Sequence, residues 1–176
     1  MSLSGALLVI RLVVGGLFVG HGVQKLTTRG GGHGLAGASA AFERLGFVPA
    51  RFWAVIAATA EVLGGALFAA GLFTPLAALA LVSVMATAVI TVHWAKGLWN
   101  TKGGFEYNLV LGTVATAIGL FGPGAYSVDA HLGWALPRPW TFVIGLLPAA
   151  VAVLIATGRL RWPRLLGAAG RHPRAA

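Results

Sequence analysis

Arg11, His21 and Lys25 share one long apolar run, and Glu61 sits near the middle of the next. Cationic side chains donate strong hydrogen bonds, and a carboxylate accepts them or carries a proton. Gathered in a dry place, such groups could hold a carbonyl oxygen or an anion and exchange a proton with it. On a helix turning ~100° per residue, Arg11, His21 and Lys25 fall within a sector of about 80° that also holds Val14 and Phe18. Arg11 and His21 are separated by roughly 15 Å of rise, so this face is polar through much of a bilayer's depth and must turn into a bundle. A carboxylate at Glu61 needs a cation, a hydrogen-bond partner or water at that depth. Arg11 is its expected partner. The pair reads either as a structural ion pair that fixes helix register or as the lining of a ligand pocket, and a protonated Glu61 is the remaining alternative.

The elements that position these residues follow from composition. The chain has 176 residues, of which 57% are hydrophobic and only 10% charged. Soluble domains carry ~25% charged residues, so this composition describes a membrane protein. Apolar runs at about 5–26, 52–72, 75–93, 106–121 and 140–157 predict five spans, and the stretch 35–45 predicts a short helix at the interface. The fold class is therefore all-α, an integral membrane helical bundle. The start, MSLSGALLVIRLVV, has no basic n-region and carries Arg11 within its apolar stretch, which reads as a retained span.

Charge fixes an expected orientation. Five spans place eleven of the 13 Lys and Arg on one side, in the first and third connections and the tail, leaving Arg11 and Arg138 elsewhere. Four spans would give six against seven. The positive-inside rule then predicts a multi-pass protein with its N-terminus out and its C-terminus cytoplasmic. The net charge of +9 does not describe a nucleic-acid-binding surface, because the basic residues lie in connections and tail instead of forming a stripe with aromatics. Cysteine is absent, which excludes thiolate metal sites and disulfide relays built from this chain.

Further polar residues lie on the later spans. Ser83, Thr87 and Thr91 repeat at four-residue intervals and are expected to bond their own helix carbonyls. With spans one to four bundled, His21, Lys25, His93 and Glu106 are expected to gather near the cytoplasmic end, with Arg11 and Glu61 deeper, as the walls of a pocket. A haem clamped by His21 and His93 is disfavoured, since Lys25 suits an anion or a quinone oxygen better. A di-iron site is disfavoured too, for want of Glu-x-x-His, and no metal is expected.

The chain resembles the DoxX family of membrane proteins. The resemblance rests on RLVVGGLFVGHGVQKL (11–26), AEVLGGALFAAGLFTPLAA (60–78), VHWAKG (92–97), GGFEYNLVL (103–111) and GPGAYSVD (122–129), in that order and spacing. It implies a small bundle, usually of four spans, associated with quinone-linked oxidoreductases and with membrane complexes that resist oxidative stress. The recurrent polar positions it implies are Arg11, His21, Lys25, Glu61, His93, Glu106 and Asp129, which become the expected ligand-binding set. The expected organisation is a DoxX-like bundle over 1–130, a loop and additional fifth transmembrane helix over 131–158, and a basic cytoplasmic tail over 159–176. The expected function is a bacterial inner-membrane component of a quinone-linked or oxidative-stress oxidoreductase system, with a quinone or similar small molecule in its pocket. The alternatives are a non-enzymatic scaffold that recruits soluble redox enzymes through its basic surface, and a small-solute or proton transporter.

Overall fold

A computed structural model describes residues 2–169, with side chains through Gly158. The described residues form seven α-helices and no strand: α1 (Leu3–Leu26), α2 (Gly34–Arg44), α3 (Ala50–Ala70), α4 (Thr74–Ala88), α5 (Glu106–Phe121), the short α6 (Val128–Leu132) and α7 (Trp140–Ala169). Four apolar helical stretches are long enough to cross a membrane, at 3–26, 50–70, 74–96 and 140–158. The third is α4 prolonged by a π-helical turn, Val89–His93, and a 3-10 turn, Trp94–Lys96. At 16 residues α5 rises only ~24 Å, short of a ~30 Å hydrocarbon core. The predicted fourth span is therefore apolar but abbreviated, and a structured connection precedes it, where Trp94 stacks on Phe105 at 5.6 Å. The predicted interface helix is α2. The last helix continues to Ala169, past the expected end of the fifth span, while Arg171 and Arg174 lie outside the described residues.

Lipid supplies no hydrophobic force between helices, so close packing must come from small residues. α1 and α3 form the most extensive helix pair. A Cβ added at Gly15 would lie 2.5 Å from the Gly65 carbonyl oxygen, and one added at Gly22 would lie 2.8 Å from that of Ala58. These two approaches set the antiparallel register. α4 lies against α3 and α5 and also carries α7, so the core gathers Phe18, Phe68, Leu81, Ala115, Ile118 and Phe142. Outward-facing Val9, Leu12 and Val13 of α1 and Ile144, Leu147 and Leu154 of α7 are exposed, as acyl-chain contact requires.

The turn between α3 and α4 is built by three residues and a distant acid. Gly71 closes α3 with a φ of 66°, Leu72 N donates to Leu67 O at 2.9 Å, and Gly71 N donates to Phe68 O at 3.1 Å. Phe73 then adopts a φ of 45°, unusual for a side chain of its bulk. Asp129 holds it there: its carboxylate accepts from Phe73 N at 2.8 Å, Thr74 N at 3.0 Å and Thr74 Oγ1 at 2.7 Å. An acid in the first turn of α6 thus supplies the N-cap that α4 lacks in its own sequence.

Gly15→Ala should destabilise the protein by ~1–3 kcal/mol, the range for overpacking, because no neighbour there can give way. Gly16→Ala, with open space around its added carbon, should leave stability unchanged. Thermal unfolding of the two variants in one detergent checks this; equal midpoints would contradict the register.

Candidate functional site

Lys25 and Glu61 form the one ion pair among the described residues, Nζ to Oε2 at 2.5 Å. Glu61 is buried, whereas Lys25 keeps about 29% of its side chain exposed. The expected Arg11–Glu61 pair does not form. The register explains why: Gly15 faces Gly65 and Gly22 faces Ala58, so Arg11 lies level with Gly71 and Glu61 with His21. Ten residues of helix, about 15 Å, separate the two. Lys25 begins one turn beyond Glu61 and reaches back to it along its own stem.

Arg11 is fully buried, as expected, but at the opposite end of α1. Its guanidinium lies against Gly71, leaving no room for a side chain there, and Nη2 donates to the Tyr126 carbonyl. Nε and Nη1 meet no acceptor among the described residues. The acid whose charge acts on it is Asp129, already committed to the start of α4. Arg11 therefore pins the 122–127 loop to α1, and Asp129 pins the start of α6 to the α3–α4 turn.

The remaining members of the expected set separate as well. His21 is exposed, sitting edge-on to Tyr107 at 6.3 Å. His93 Nδ1 bonds the Gly103 carbonyl at 2.7 Å, and Glu106 accepts from Asn100 N at 3.0 Å. Both organise the connection between α4 and α5 instead of lining a pocket with Lys25. The expected gathering is thus corrected in part: His21 and Lys25 share the lining of one cavity, whereas His93 and Glu106 stay apart from it. Among the described residues no three His, Asp or Glu side chains assemble as metal ligands.

What the Lys25–Glu61 pair does line is a cavity of about 310 Å³ between α3, α4 and α7. Ser83, Thr87 and Thr91 face it from α4, each hydroxyl donating to its own helix at 2.7–2.8 Å. Their oxygens retain lone pairs for a donor in the cavity. Phe42, Leu45, Phe47 and Trp53 close the end beside α2, with Phe42–Phe47 centroids 4.9 Å apart and Phe47–Trp53 5.9 Å. Sequence reasoning missed this aromatic cover and the alanines of α7 opposite it; the spacing of Phe42, Phe47 and Trp53 around one predicted loop was the available signal. A mostly apolar cavity with a few convergent polar groups is the usual form of a small-molecule site, and this volume lies at the low end of the ~300–1,000 Å³ range.

Two other cavities differ in kind. One of about 530 Å³ at the start of α1 is larger, but Asp129 is spent on α4, and Arg138 donates to the Phe121 carbonyl at 3.2 Å. Its polar groups are already engaged. Another of about 270 Å³, beneath the glycine-rich connection, is lined by His21, Gln24, His33 and Lys25. Lys25 and Phe42 belong to both this cavity and the 310 Å³ one, so Lys25 stands between a polar and an apolar chamber.

This is a multi-pass helical membrane protein with a charged pair facing an internal apolar cavity. A family model described as DoxX matches residues 6–94, and the chain belongs to the DoxX family. The match covers α1 to α4 and the π-helical turn, and so includes Arg11, Lys25, Glu61 and His93; it stops short of Glu106, Asp129 and α7. No curated protein and no solved structure matches the chain.

Asp129→Ala should lower stability by ~1–2 kcal/mol or more, from the lost cap of α4 and the charge withdrawn from Arg11. Thermal unfolding checks it. Glu106→Gln, whose altered group faces one exposed backbone N–H, should move the midpoint far less; the reverse ranking would contradict the assignment of Asp129 as the anchor.

Proposed function

We propose that this protein is the membrane component of a quinone-linked or oxidative-stress oxidoreductase system, and that the 310 Å³ cavity holds the ring of a quinone. The observation that carries the reading is the Lys25–Glu61 pair set into an otherwise apolar wall, opposite the hydroxyls of α4. The donor set fits such a ring, which presents carbonyl oxygens when oxidised and hydroxyls when reduced. A bound quinone would supply reversible two-electron, two-proton carrier chemistry. The Lys25 ammonium donates to a carbonyl oxygen, and Glu61 accepts from a hydroxyl in the same place. Ser83 and Thr87 accept from a second hydroxyl across the cavity. Phe42, Phe47 and Trp53 exclude water from the α2 end, which strengthens each of these polar contacts.

The family resemblance, with its association with quinone-linked oxidoreductases, supports the same reading. The asymmetry of Lys and Arg supports an orientation with the Lys25 end cytoplasmic. At that end Arg29, Arg44, Arg51, Lys96 and Lys102 are all exposed. Such a basic rim favours anionic headgroups or an acidic soluble redox partner, and gives the scaffold alternative a physical footing.

A short-chain benzoquinone titrated into purified protein in nanodiscs should bind, and Glu61→Gln should weaken it at least tenfold. Lys25→Met leaves a buried carboxylate unpaired and can cost ~3–5 kcal/mol of stability, so the double variant Lys25→Met with Glu61→Leu is the cleaner removal of the pair. It should fold and bind at least tenfold more weakly. His93→Ala should retain affinity. Unchanged affinity in the folded double variant would overturn the site.

A further inference from the structure

The walls of the 310 Å³ cavity do not meet on every side. Among the described residues α7 packs on α4 and briefly on α5, and forms no extended seam with α3. Among the described residues, aromatic side chains bridge the two helices beside α2, where Phe47 packs with Ala156 and Trp53. Above that plug the facing residues are Ile56, Ala57 and Ala60 on α3 and Ala152 on α7, all of which line the cavity. Ile56 and Ala152 are also exposed on the outer surface, and Ala57 and Ala60 are half-buried. The cavity is therefore continuous with the outside between these two helices, through a slot floored by small side chains.

The depth of the slot decides what lies beyond it. Ala57 is seven residues into α3, about 10 Å from the end where that helix enters. Ala152 is twelve residues into α7, about 18 Å from the opposite end. In a core ~30 Å thick the two lie at nearly one level, well inside the hydrocarbon. The slot opens onto acyl chains, not water. A cavity of this size takes a ring but not a ring together with a long chain, so any long tail must leave by this route.

We propose that the slot between α3 and α7 is a lateral portal, through which the isoprenoid or alkyl tail of a membrane-dissolved quinone remains in the bilayer while its ring meets Lys25 and Glu61. The inference rests on the quinone reading and specifies its ligand as a tailed lipid instead of a water-soluble ring. It also assigns a role to α7, which lies outside the residues matched by the family model. The tail gains no hydrophobic stabilisation by sitting in the slot, because lipid solvates it equally well. The portal is thus permissive: it lets a tailed ligand bind as well as a tailless one.

The test compares a decyl-substituted benzoquinone with its tailless parent in nanodiscs, each Kd referred to the probe's membrane concentration so that partitioning cancels. Wild-type protein should bind the two within about threefold of each other. Ala152→Phe and Ala57→Phe, filling the slot from opposite sides, should raise the ratio of decyl to tailless Kd at least tenfold, and the tailless probe's remaining binding reports that the fold and the ring site survive. Ala152 is exposed, so that variant has no core to disturb. Equal loss of both probes in both variants, or no selective loss in either, would overturn the portal while leaving the ring site standing. Strong discrimination against the decyl probe by wild type would overturn it as well. Failure of wild type to bind either probe would remove the quinone reading itself, and the portal with it.

Discussion

Where α1 slides to along α3 decides which charges meet. Gly15 against Gly65 and Gly22 against Ala58 admit only one antiparallel register, because the backbones touch at both points. That register sorts the buried ionisable groups into two levels. Near one end Lys25 reaches Glu61, and near the other Arg11 meets the α3–α4 turn and the loop that precedes α6. In water such groups could stay apart at little cost, since solvent would satisfy each of them. In hydrocarbon each must find a partner within its own level.

The two levels have different characters. At the Arg11 level the bonds made run mainly to backbone: Asp129 to Phe73 and Thr74, Arg11 Nη2 to Tyr126, and Asp129 N to the Gly71 carbonyl at 2.9 Å, while Arg11 Nε and Nη1 have no acceptor among the described residues. These bonds close a turn containing a positive-φ phenylalanine and fix the loop across three helices. At the Lys25 level the pair satisfies itself and faces a mostly apolar cavity. A lysine and a glutamate with remaining donor and acceptor capacity can recruit a third group, whereas a carboxylate holding three donors has little left to offer. The proposed binding chemistry therefore draws on the Lys25 end, while the Arg11 end supplies rigidity.

Much of this was legible in the sequence, and the misreadings have geometric causes. Spans, the interface helix and the inward turn of Arg11 and Glu61 followed from hydropathy and from the cost of charge in lipid. His21 was misplaced because the sector was drawn around the charged residues themselves. The buried residues Arg11, Val14, Gly15, Phe18 and Gly22 centre the inner face close to Arg11, and His21 lies about 80° from that centre, at the flank. The Arg11–Glu61 pairing failed for a different reason. Both residues were read as mid-depth from their positions within apolar runs, but relative depth across two helices depends on a glycine contact register that hydropathy does not encode. His93 and Glu106 were correctly placed at one end of the bundle, yet their partners are backbone groups of the 97–105 connection, which no spacing rule brings to a particular side chain.

The part least visible in the sequence is the division of labour between α4 and α7. Ser83, Thr87 and Thr91 satisfy their donors within α4, so that helix can border a cavity without leaving an unpaired N–H or O–H in hydrocarbon. α7 can then pack on α4 from the far side without closing against α3. A bulkier helix at that position would seal the cavity, and a missing one would expose the hydroxyl row to acyl chains. Ala152 satisfies both requirements, being small enough to leave space and apolar enough to face lipid where the space ends. Small residues thus act in two opposite ways here: glycine between α1 and α3 brings backbones into contact, and alanine between α3 and α7 keeps a gap open beside them.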